Sequence, residues 1–123
     1  MKRMRVVVAG VTIAAVAVTG SAFAAKQVLA PKKVTVSATE YAYKWSVPKT
    51  VRKNQKLVVT LVNKGSEVHD LKFFGVTPKS RFLAAGGRQT FTVVFKKTGR
   101  VQYLCTIGEH AIKGMQGVLV VKP

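Results

Sequence analysis

The stretch FTVVFKKTGRVQYLC, residues 91–105, decides the fold expected for this chain. Every second residue in its two halves is apolar, which is the pattern of a half-buried strand. The residues that share one face in this way are Phe91, Val93 and Phe95, and then Val101, Tyr103 and Cys105. A turn at Thr98-Gly99 separates the two halves. The stretch therefore predicts two consecutive strands, the second ending with the Cys105 side chain facing the core.

Similar short segments occur along the rest of the chain from Val34 onwards, without a convincing long helix between them. They lie at residues 34–36, 41–47, 57–62, 71–74 and 118–121. The continuous apolar run at 57–62 predicts a strand buried on both faces. About seven short strands separated by turns predict an all-β chain that folds as an antiparallel β-sandwich.

The N-terminus has the pattern of an export signal. A basic head (Lys2, Arg3 and Arg5) precedes an uncharged apolar run at residues 6–18, and Ala22-Phe23-Ala24 follows. This order predicts a signal peptide at residues 1–24 and a location in the periplasm, outside the cell or in the cell envelope. A retained anchor helix is the alternative, although the apolar run is short for a membrane span. Residues 25–33 are predicted to be a leader and residues 34–123 the domain.

The composition leaves few reactive groups. The 123 residues contain 21 Lys and Arg against 4 Asp and Glu, with one cysteine and two histidines, and the net charge is +17. An internal disulfide and a large histidine cluster are therefore excluded. The small number of acidic residues also disfavours a hydrolase that uses a pair of catalytic carboxylates. Because unpaired thiols are a liability in an oxidising compartment, we expect a ligand on the sulfur of Cys105.

Four metal donors can meet at one end of such a sandwich. The segment from Cys105 has the spacing C-x4-H-x4-M, which includes His110 and Met115, and the other histidine, His69, follows a turn at residues 63–66. Taken singly, each residue has an ordinary structural explanation. A thioether is a poor zinc ligand, whereas two histidines, a cysteine and a weak axial methionine are typical of a copper electron-transfer site.

At these residues the chain resembles the cupredoxins, the small blue copper proteins. The resemblance extends from about Val34 to Lys122, and its specific parts are residues 63–69 and 105–117. It implies a Greek-key β-sandwich with one type 1 copper ion at its end, and electron transfer between larger redox proteins. By this resemblance the copper ligands are His69, Cys105, His110 and Met115.

The donor set also suggests a role for each ligand. Cys105 would supply the strongly donating bond and Met115 would tune the potential from the axial position. His69 would be the buried histidine, and His110 the more exposed one through which electrons pass. The chain departs from the family at Asp70, where many members have Asn, and at Glu109, where close relatives often have Gly.

We expect an electron carrier that is not an enzyme. A copper storage or delivery protein for an oxidase is the alternative, and a metal-free basic sandwich is a third. A Cys/His protease is the weakest candidate, because Cys105 lacks the helix N-terminus that typically activates such a nucleophile. The carrier should cycle reversibly with its copper in place, whereas a delivery protein should release Cu(I) readily.

The charge pattern adds two expectations. Three acidic residues, Glu67, Asp70 and Glu109, lie within two positions of a histidine in a strongly basic chain. Either they are solvated turn residues, or their negative charge lowers the reduction potential. The basic excess favours redox protein partners with acidic docking surfaces, or an anionic membrane surface. Export argues against nucleic acid as a partner, and we expect a monomer.

Overall fold

The computed structural model describes residues 28–123, together with Gly10, Ala14 and Ala15. Apart from those three residues, the predicted signal peptide (1–24) lies outside the described part, as does the start of the leader. Residues 28–123 form eight strands. They are β1 (Lys32–Thr39), β2 (Ala42–Trp45), β3 (Thr50–Arg52), β4 (Lys56–Asn63), β5 (Lys72–Phe73), β6 (Arg88–Val94), β7 (Gly99–Leu104) and β8 (Gln116–Lys122). Within the described ranges, no helix has the length and apolar character needed to cross a membrane.

The strands form two four-stranded sheets, with the orders β2-β1-β4-β6 and β3-β8-β7-β5. The predicted all-β sandwich is confirmed, and four of its six strand pairings are antiparallel, as expected. β1 pairs with β4 in parallel, and so does β3 with β8. The β1–β4 pair is possible because the chain crosses to the second sheet as β3 before it returns as β4. Residue alternation carries no information about this direction.

The core lies between the sheets, where alternate residues of the strands point inward. The buried side chains include Val34, Val36, Leu57, Val59, Leu61 and Phe91 from the first sheet, and Val51, Phe73, Tyr103, Leu119 and Val121 from the second. The ring of Phe73 packs against those of Phe95 and Tyr103 at 5.6 and 6.0 Å between centroids. The contact of Phe73 with Phe95, which follows β6, joins the two sheets, and its contact with Tyr103 lies between β5 and β7 of the second sheet.

Two local expectations are corrected, and one strand was not expected. β4 is fully buried on one face only, while Val58, Thr60 and Val62 on the other face are partly exposed, because sandwich sheets leave their outer faces to solvent. β1 begins at Lys32, inside the segment predicted as a leader. β3 was not predicted, because three residues are too few to show a period.

Candidate metal centre

Three of the four predicted ligands converge at one end of the sandwich, which we call the site end. One nitrogen of His69, one of His110 and the sulfur of Cys105 all lie within 4.8 Å of one another. The sulfur is 3.6 Å from Nδ1 of His110, and the two imidazole centroids are 5.0 Å apart. His69 is fully buried and His110 is 8% exposed, so His110 is the more exposed histidine, as predicted.

His69 is fixed by its backbone. It forms an isolated bridge with Leu83, donating its N–H at 3.1 Å and accepting the N–H of Leu83 at 2.8 Å. The side chain of Asn63 donates to the carbonyls of Leu83 and Glu67, both at 2.7 Å. The end of β4 therefore ties down both the segment before His69 and its bridging partner.

The two nitrogens of His69 have different surroundings. Nε2 lies 3.2 Å from Oε1 of Glu40, whereas Nδ1 is buried without any hydrogen-bond partner. Because an ionised carboxylate only accepts hydrogen bonds, we assign the imidazole proton to Nε2, which leaves a free lone pair on Nδ1. A buried polar atom without a partner costs free energy. A metal ion bound at Nδ1 would satisfy it, so the residues present fit a metal.

The segment between Cys105 and Met115 is a compact loop closed by its own backbone. Cys105 donates its N–H to the carbonyl of Met115, and Met115 donates to that of His110, both at 3.0 Å. Gly114 has a φ of +130°, and a Cβ there would lie 2.8 Å from the carbonyl oxygen of Tyr41. The loop can therefore pack against Tyr41 only with glycine at this position.

Met115 is hydrogen-bonded through its backbone to Cys105 and His110. Its side chain is fully buried and belongs to the same apolar cluster as Cys105. The hydrogen bond from Cys105 holds its backbone next to the cysteine. Its role as the fourth ligand stays a prediction from the sequence.

Asp70 braces the cysteine loop by hydrogen bonds to Thr106. Its Oδ1 accepts the N–H of Thr106 and its Oδ2 accepts the Thr106 hydroxyl, both at 2.6 Å. Lys79 also donates to Oδ2 at 3.0 Å. Burial raises the pKa of Asp70, but these donors outweigh it and the net pKa is lowered. The carboxylate is therefore held ionised at neutral pH.

Cys105 is protonated at neutral pH in the metal-free protein. Burial, the largest effect, raises the pKa of its thiol, while the backbone N–H groups of Asp70 and Ile107 lower it in part. Those two N–H groups favour the thiolate. A metal ion that binds the sulfur would therefore displace the thiol proton. The two N–H groups would stabilise part of the negative charge on the thiolate.

Sequence reasoning missed Glu40, the fourth acidic residue, which precedes His69 by 29 positions. It follows β1, and the parallel pairing of β1 with β4 brings it beside the turn that leads to His69. Glu67 also faces the site, with Oε2 3.8 Å from Nε2 of His110. All four carboxylates of this basic chain thus lie at the site end, beside or next in sequence to the three converging residues.

No protein-family model and no curated protein sequence matches the chain. Solved structures do match it. The dithionite-reduced auracyanin of Roseiflexus castenholzii has a TM-score of 0.65 at 20% identity, over 76% of this chain and 99% of that one. Auracyanin A of Chloroflexus aurantiacus, a "blue" copper protein, has a TM-score of 0.62 at 15% identity, over 76% and 100%. The copper nitrite reductase of Nitrosomonas europaea has a TM-score of 0.62 at 21% identity, over 76% of this chain and 42% of that one.

These matches define the class of fold. The chain has the cupredoxin fold, and the resemblance noted in its sequence is confirmed at that level. It spans nearly the whole length of the two auracyanins but less than half of the nitrite reductase. Within this fold, His69, Cys105 and His110 are positioned to bind one metal ion.

Proposed function

We propose that this chain is an exported blue copper protein that carries single electrons between redox partners. The observation that supports it most is the convergence of the Cys105 sulfur with one nitrogen of each histidine. When bound, copper would supply a one-electron couple between Cu(II) and Cu(I). Thiolate and thioether favour the reduced ion and imidazole suits both, so this donor set fits an ion that changes oxidation state.

Each of the four proposed ligands would have a separate role at the copper ion. Cys105 would form the strongest bond, assisted by the N–H groups directed at its sulfur. His69 would bind through its unpartnered Nδ1, and His110 through Nδ1, the nitrogen nearest the sulfur. Met115 would be the fourth and weakest ligand. The loop, the hydrogen bonds of Asp70 and the bridge between His69 and Leu83 would hold these ligands in place. They would therefore move little when copper changes its oxidation state.

His110 provides the shortest route to the surface. It is the most exposed of the three converging residues, and the centroid of the Tyr41 ring lies 5.1 Å from that of the His110 ring. Ile112, in the same loop, is 84% exposed and offers an apolar contact beside it. We place the docking of redox partners at this loop, with electrons passing through the His110 imidazole.

The basic surface would supply long-range attraction. Partners with acidic docking surfaces, or an anionic membrane surface, would be attracted by such charge, and association should slow as salt rises. A monomer would suffice for this role.

The direct test is to add Cu(II) to the purified domain and record visible and electron paramagnetic resonance spectra. We expect an intense thiolate-to-copper band and a narrow copper hyperfine splitting, both lost in Cys105→Ser. A Met115→Leu variant should keep the band and shift the midpoint potential. A colourless wild-type protein that binds no copper would overturn the proposal.

Copper retention distinguishes a carrier from a storage or delivery protein. Met115 is the only methionine in residues 28–123, which favours a carrier because copper-delivery proteins often use several. After repeated reduction and oxidation with a Cu(I) chelator present, a carrier should keep its blue colour. Stoichiometric loss of Cu(I) in the first cycles would favour delivery instead.

A further inference from the structure

We infer that Glu40 is the positioning residue of the metal centre, because its carboxylate orients His69 with Nδ1 free to bind the metal. The inference rests on the proposed copper site. It adds a residue that neither the ligand spacing nor the resemblance indicates.

The carboxylate of Glu40 is held in a defined place. Its Oε1 accepts the backbone N–H groups of Ser66 and Glu67, at 2.7 and 2.6 Å, and lies 3.2 Å from Nε2 of His69. These two backbone donors show that the carboxylate oxygen acts as an acceptor, so the nitrogen of His69 that faces it is the donor.

Gly65 leaves the space that this carboxylate occupies. A Cβ at Gly65 would lie 2.4 Å from Oε1 and 2.5 Å from Oε2 of Glu40. Any larger residue would push the carboxylate away from His69. Gly65 and Glu40 are 25 positions apart in the sequence, but both are needed to hold the carboxylate beside His69.

The chemical consequence follows from general metal-site physics. A histidine ligand that donates its second N–H to a carboxylate is fixed in one tautomer and becomes a stronger base toward the metal. The negative charge favours the more positive oxidation state, Cu(II). Glu40 should therefore raise the affinity for Cu(II) more than that for Cu(I) and lower the midpoint potential.

The first test uses the metal-free protein and reads the tautomer directly. Long-range ¹H–¹⁵N spectra of the imidazoles should show His69 protonated at Nε2 and unprotonated at Nδ1. In Glu40→Ala and in Gly65→Ala this preference should weaken, giving a mixture of tautomers or faster exchange of the Nε2 proton. An unchanged His69 spectrum in both variants overturns the inference.

The second test uses the copper-loaded protein. Loss of such a carboxylate partner typically costs 10–100-fold in metal affinity. Glu40→Ala and Gly65→Ala should each lose about tenfold or more in Cu(II) affinity and less in Cu(I) affinity, so that the midpoint rises. Glu40→Gln keeps the size of the side chain and an acceptor oxygen but removes the charge, so it should still raise the midpoint, with a smaller loss of Cu(II) affinity and a milder effect on folding than Glu40→Ala.

Two controls separate positioning from general effects. Glu109→Gln removes the same charge from the site end without touching His69, and should change the affinity ratio less than Glu40→Gln. Gly65→Ala should have little further effect in a Glu40→Ala background, because it acts through that carboxylate. Equal effects of the two charge removals, or fully additive effects at Gly65, contradict the inference.

The outcomes also distinguish this inference from the proposed function. If the wild-type protein forms no blue copper site, the function fails, and the metal-free spectra still decide whether Glu40 sets the tautomer. If the wild type is blue and the Glu40 variants match it in tautomer and affinity ratio, only the role of Glu40 fails.

Discussion

Oδ1 of Asp70 lies 2.6 Å from the backbone nitrogen of Thr106, so the residue after His69 is hydrogen-bonded to the residue after Cys105. The second oxygen accepts the Thr106 hydroxyl at the same distance. Through this pair the segment carrying one histidine and the loop carrying the cysteine are tied directly to each other. An acidic residue here adds a charge that an amide would not.

Replacing Asp70 by Ala should destabilise the metal-free protein by about 2 kcal/mol, because hydrogen bonds to a charged group are lost at a buried position. Thr106→Val removes only the hydroxyl contact and should cost about 1 kcal/mol. Urea unfolding of both variants and of the double variant checks this. The double variant should fall short of the sum; full additivity would contradict a direct link between the two residues.

Removing charge near the site should raise the midpoint potential. Asp70→Asn should have a larger effect than Glu109→Gln, because Asp70 is fully buried whereas Glu109 is exposed and its charge is screened by solvent. Voltammetry of the copper-loaded variants measures both. An unchanged or lower midpoint in both variants would discard the idea that these carboxylates stabilise Cu(II).

Gly114→Ala should destabilise the cysteine loop by about 1–3 kcal/mol, because it combines a positive φ with a clash at Tyr41. Gly99→Ala is a matched control, since Gly99 has a φ of +132° and no atom within 4 Å of the added Cβ. Thermal unfolding of the two variants separates backbone strain from contact. If Gly99→Ala costs as much as Gly114→Ala, the packing against Tyr41 contributes nothing.

The stability of the metal-free protein should fall in acid. Glu40 has a pKa of about 2 when folded against about 4.3 in an unfolded chain, so its contribution is present above the unfolded value. It is lost as the pH falls through the folded pKa. Glu40→Gln should therefore be less stable than the wild type near pH 6, with a difference that shrinks between about pH 4 and pH 2. A difference that stays constant across this range would be inconsistent with a paired Glu40.

The sequence predicted those features that local pattern encodes. Alternating residues placed the Cys105 side chain at the end of a strand facing the core, and the C-x4-H-x4-M spacing placed His110 in a short loop after it. The structure confirms that these two residues and His69 come together.

What the sequence could not predict depends on strand direction. The parallel register of β1 and β4 brings Glu40 to the turn before His69, and no residue near Glu40 signals this distant contact. The expectation that the strand at 57–62 is buried on both faces was wrong, because it was based on apolar composition. Apolar composition alone does not distinguish the inner from the outer face of a sandwich sheet.

The most direct test of the whole account is a crystal structure of the copper-loaded protein with anomalous scattering measured at the copper edge. We predict a single strong peak within bonding distance of the Cys105 sulfur and of Nδ1 of both His69 and His110, with the Met115 sulfur facing it. A peak elsewhere on the molecule, or copper bound to His69 through Nε2, would contradict it.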